Sequence, residues 1–73
     1  MTNNNLYDMA ISHFESKRVE SRAMLDLYLN NPSAVADHSN FISEITKWAE
    51  QLASSEECLK ALKENFSQGG VLI

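Results

Sequence analysis

Large apolar residues return along positions 41–66 at alternating four- and three-residue steps: Phe41, Ile45, Trp48, Leu52, Ser55, Leu59, Leu62 and Phe66, with Ser55 the one interruption. A repeat averaging three and a half residues keeps every member on one stripe of an α-helix, the seam along which a second helix lies. The same alternation runs earlier through Tyr7, Ile11, Phe14, Arg18, Ser21, Leu25 and Tyr28, with two polar members in its middle. Two helices are therefore predicted, over about residues 5–30 and 40–67, joined by a connection at 31–39.

Local signals agree with these limits. Asn5 offers an N-cap side chain, with Asp8 as a first-turn acid that suits the helix dipole. Asn30-Asn31-Pro32 ends the first helix, because proline disfavours helical geometry in the residue before it and lacks a backbone donor. Ser33 can cap one short helical turn through Asp37. Ser39 or Asn40 can cap the second helix, with Glu44 in its early turns. Gly69-Gly70 is expected to stop it at Phe66 or Gln68, since glycine readily takes the left-handed conformation of a helix end. Residues 69–73 close as an apolar tail, Val71-Leu72-Ile73, read as a frayed end.

Folding the helices back antiparallel pairs Tyr28 with Phe41, Leu25 with Ile45, Ser21 with Trp48, Arg18 with Leu52, Phe14 with Ser55, Ile11 with Leu59 and Tyr7 with Leu62. Small Ser21 then faces the largest side chain, and small Ser55 faces Phe14. Dense packing between close helices needs that alternation of large against small. Arg18 is the awkward member, and its aliphatic stem can lie along Leu52 while the guanidinium reaches Glu15 one turn earlier.

Apolar residues also lie off the seam: Leu6, Met9, Ala23, Met24 and Leu27 on the first helix, Ile42, Ala49 and Ala53 on the second. One hairpin cannot cover this second row, whereas two hairpins forming a four-helix bundle can. Length points the same way. A chain of 73 residues leaves so much of its surface wet that a core built by a single copy is marginal.

Composition adds mostly exclusions. Hydrophobic residues at 44% and charged residues at 22% are ordinary for a globular chain, and no apolar run approaches the roughly 20 residues that span a bilayer. The start, Met1-Thr2-Asn3-Asn4-Asn5, lacks the basic and apolar regions of a secretory signal, so a cytoplasmic product is expected. A net charge of −4 argues against wholesale nucleic-acid binding. Lys17, Arg18 and Arg22 are the one candidate anion patch, and their interleaving with Glu15, Glu20 and Asp26 reads first as a self-neutralising solvated face. Cys58 can form no intrachain disulfide and reads as a small apolar residue beside the seam.

Chemistry is sparse. His13 and His38 have no ligand-spaced companion, so no metal is expected, and no cofactor or catalytic residue is assigned. Glu56, Glu57 and Lys60 read as surface pairing.

The runs Asn5-Leu6-Tyr7-Asp8-Met9-Ala10-Ile11-Ser12-His13-Phe14-Glu15, Ile45-Thr46-Lys47-Trp48-Ala49-Glu50 and Glu56-Glu57-Cys58-Leu59 resemble small proteins, of no assigned activity, encoded by marine tailed bacteriophages that infect cyanobacteria. The resemblance covers most of the chain and carries no motif of known activity. It implies a product made in an infected bacterial cell. The expectation from the residues is an all-α antiparallel two-helix hairpin that dimerises into a four-helix bundle and binds protein without catalysis. The competing expectation is a small nucleic-acid-associated regulator using the basic residues of the first helix.

Overall fold

A computed structural model describes residues 4–34 and 40–67. Helix α1 spans Asn4–Asn30, a single 3₁₀ turn spans Pro32–Ala34, and helix α2 spans Phe41–Phe66; the described residues include no strand. The two helices lie antiparallel. Moving toward the C-terminus of α2, its partners fall progressively earlier in α1: Phe41 meets Tyr28, Gln51 meets Ser21, and Lys63 meets Glu15.

The helix ends differ in detail from the sequence expectation. Asn5 lies inside α1, which starts one residue earlier, and Asp8 falls beyond the first turn, where no acid is found. At the other end the amide of Asn31 still donates to the Leu27 carbonyl at 3.0 Å before Pro32 diverts the chain. The amide of Ala34 then donates to the Asn31 carbonyl at 3.1 Å, closing the 3₁₀ turn. Asn40 holds the N-cap position of α2 through its backbone alone, its carbonyl accepting from the Glu44 amide at 2.9 Å. Helix α2 stops at Phe66 because Ser67 takes an extended backbone (φ −59°, ψ 134°), ahead of the glycine pair. Ser39, the end of the expected short turn, His38, Gly69-Gly70 and Val71-Leu72-Ile73 lie outside the described residues.

The molecule is a rod of 51 × 17 × 16 Å. Its radius of gyration, 16.0 Å, exceeds the roughly 11 Å of a compact domain of this length, so the seam is the whole interior. Along that seam Ser21 is completely buried, and Ser55, Leu59 and Trp48 nearly so. The Tyr28–Phe41 layer is observed directly as an edge-to-face ring pair with centroids 5.3 Å apart. Phe14 and Ser55 line one hollow. Phe66 departs from the series. It is 65% exposed, because it lies at the open end of the hairpin, where α1 has only its first residues left to pack against it.

Candidate interaction surface

Two flanks border the seam of each helix, and in an antiparallel pair like flanks come together. One flank is marked by Gln51, whose Nε2 donates across to Ser21 Oγ at 2.9 Å and lies 3.3 Å from the Lys17 carbonyl. The other is marked by the Glu15–Lys63 ion pair at 3.6 Å. Stepping by heptads from Lys17 and Gln51 gives Ala10, Met24, Glu44 and Cys58, all half-buried like the two they start from, and then Asn65, exposed at the end of α2. Stepping likewise from Glu15 and Lys63 gives Asp8, Arg22, Leu29, Ile42, Ala49 and Glu56, and all of these are exposed.

The packed stripe is thus rotated toward one side. Ser21, Trp48 and Ser55, the buried residues nearest the closed flank, are joined by only one buried residue from the other side, Leu59. Ile11, Leu25, Ile45 and Leu52, which border the open flank, stay half-buried. Two small hydroxyl residues explain the rotation: where a side chain ends at Oγ, the helices can close on that side. Ser21 Oγ donates to the Lys17 carbonyl at 2.8 Å and Ser55 Oγ to the Leu52 carbonyl at 3.0 Å, so neither buried hydroxyl is unsatisfied.

Polar groups line the closed flank. Glu44 Oε1 accepts from Trp48 Nε1 at 3.3 Å and from Tyr28 Oη at 3.4 Å, tying α2 to α1 near the connection. Lys47 Nζ sits 4.5 Å from the Trp48 ring centroid, a cation–π contact. Midway along the rod this side opens into a hollow of about 410 Å³ over Phe14 and Ser55, bordered by His13, Lys17, Lys47 and Glu50.

The row expected to form one second face is divided by this geometry. Met24 belongs to the closed flank and is half-buried, with Leu6 and Leu27 beyond it. Met9 and Ala23 point along the back of α1. Ile42 and Ala49 lie on the open flank, with Ala53 at its outer edge. The division follows from the antiparallel pairing, which turns the off-seam rows of the two helices to opposite sides of the rod. Val19 and Leu29, absent from the expected row, join the open flank at 57% and 61% exposure, beside Ile42 at 76%. Leu29 stands one heptad beyond Arg22, and Val19 stands one turn from both Glu15 and Arg22, and these spacings are the sequence signal that locates them.

The three basic residues of α1 are also separated. Lys17 borders the hollow, while Arg22 lies on the opposite flank. Arg18, at the seam, donates to Glu15 Oε1 through Nε at 3.1 Å and through its second nitrogen at 2.9 Å. Its bond to Glu15 is as expected, and the combined patch is not assembled, because Lys17 and Arg22 lie about 140° apart around α1, on either side of the seam on which α2 packs. That Arg18 bond holds the Glu15 carboxyl below its ordinary range; partial desolvation opposes it, and the charges of Arg18 and Lys63 add to the lowering.

Among the described residues no group of three or more His, Cys, Asp or Glu could hold a metal ion, and no helix is long and apolar enough to cross a membrane. No family model, curated protein or solved structure matches the chain.

Proposed function

We propose that the chain is a non-catalytic helical assembly module whose hairpins associate as a homodimer into a four-helix bundle, and that the assembled bundle presents its outer surface to a protein partner. One observation carries the reading. A rod one seam thick leaves Val19, Leu29 and Ile42, which share the open flank, between 57% and 76% exposed. Rows of large apolar side chains in water are the usual mark of an interaction face, and a second layer of helices is the simplest cover. The phage resemblance supports the reading that this module is made in an infected bacterial cell.

Light scattering across a range of protein concentrations tests the reading. The expected mass is twice the chain's 8.2 kDa. A monodisperse monomer at every concentration overturns it. Retardation of nucleic acid that weakens steeply as salt rises would instead favour a regulator that draws on phosphate contacts.

A further inference from the structure

Resting on that reading, we infer that the dimer forms through the open flank, with α1 of each hairpin lying against α2 of a second copy and the two rods pointing the same way. The closed flank is a poor candidate, since Glu44 and Gln51 already bond across the pair to the Tyr28 hydroxyl and the Lys17 carbonyl, and Lys47 lies over the Trp48 ring of its own helix. The open flank is apolar near the connection, where Leu29 and Ile42 stand exposed, and it is continuous with the half-buried seam residues Leu25, Ile45 and Leu52.

Orientation follows from what each helix presents. The Tyr28–Phe41 layer fixes heights along the rod, so Leu29 is level with Ile42, Arg22 with Ala49, Val19 with Ala53, and Asp8 with Lys63. A two-fold axis along the rod sets α1 against α2 of the second copy at equal height. Bulky Arg22 and Val19 then meet Ala49 and Ala53, and Leu29 meets Ile42. At the open end Asp8 meets Lys60, while Lys63 beside it is held by Glu15 of its own hairpin. Large opposes small and acid opposes base along most of the contact, as specific self-association requires. The Glu15–Glu56 level is the like-charged exception, and Glu15 is already bound by Arg18 and Lys63. Inverting one rod instead brings the apolar end of each onto the charged end of the other. A face 51 Å long and 17 Å wide also matches the ~800 Å² per partner that a standard stable interface buries.

The test uses full-length chains carrying Cys58→Ser and one new cysteine each. An oxidised mixture of the Val19→Cys and Ala53→Cys chains should yield a disulfide-linked dimer as the main product, whereas Met9→Cys chains, altered on the back of α1, should yield little. In parallel, Ile42→Glu should weaken dimerisation by about tenfold or more, the scale of losing one buried aliphatic contact, while Leu6→Glu leaves the mass unchanged. A dimer by mass that links through Met9→Cys and tolerates Ile42→Glu overturns the assigned face but keeps the assembly reading. A monomer overturns both.

Discussion

The side-chain amide of Gln51 reaches across the helix pair to within 2.9 Å of Ser21 Oγ, and that hydroxyl in turn donates to the Lys17 carbonyl on its own helix. Lys17 O and Glu20 Oε1 stand 3.3 and 3.2 Å from the same amide nitrogen, which has two hydrogens to share among three acceptors. A fully buried serine and a long polar side chain thereby set how closely α1 and α2 approach on the closed flank.

Enlarging Ser21 should accordingly be far worse than cutting back Gln51. Ser21→Leu forces a branched side chain into a fully packed site and should cost about 1–3 kcal/mol. Gln51→Ala removes one shared set of hydrogen bonds and should cost about 1 kcal/mol. Urea unfolding followed by circular dichroism, at one fixed protein concentration, measures both. Equal midpoints for Ser21→Leu and the unaltered protein would show that the helices do not close at this point.

Trp48 and Phe66 share one sequence pattern and should separate sharply. Trp48→Ala empties the largest site of the core, at about 3–5 kcal/mol, enough to unfold a small hairpin at ambient temperature. Phe66→Ala, at a position 65% exposed, should stay within about 0.5 kcal/mol. Thermal melts of the two variants make the comparison, and a large loss at Phe66 would mean that this ring is covered in solution.

Acid should loosen the rod through Glu15. Its carboxyl titrates lower in the folded chain than its ordinary 4.5, so the folded state favours the ionised form. The resulting stability is present above the ordinary value and disappears as pH falls through the lowered one. Glu15→Gln should flatten that part of the profile of melting temperature against pH, with little effect near neutrality because an exposed pair contributes modestly. A profile of unchanged shape in the variant assigns the acid sensitivity to other carboxylates.

The seam was legible in the chain because a three-and-a-half-residue repeat needs only residue types, and Pro32 leaves little choice about where the chain turns. The layer nearest the connection was legible too. Ser21 and Ser55 are small at the heights where Trp48 and Phe14 are large, and the Tyr28–Phe41 ring pair stands where that matching puts it. Rotation about each helix axis was not. It depends on how deeply the two serines let the backbones approach and on the reach of Gln51, which in sequence is indistinguishable from an ordinary solvated glutamine. The antiparallel pairing itself divides the expected apolar row, and the seam separates Lys17 from Arg22 in the expected basic patch, since residues near one another along one helix need not share a side of the pair. The ends of α2 stand where the sequence puts them, at Asn40 and Phe66, but by other means: Asn40 caps through its carbonyl and not its side chain, and Ser67 leaves the helix before either glycine is reached.

A body with one seam and a single elbow has a built-in order of opening. Contacts at the elbow, such as Tyr28 with Phe41, enclose the shortest stretch of chain, whereas Glu15 with Lys63 encloses the longest and loses the most freedom on forming. Like the arms of tweezers, the free ends should part first and rejoin last, and amide exchange should be fastest beyond Glu15 and Lys63 and slowest around Ser21 and Trp48. Whatever grips those ends gains control over how far the arms separate.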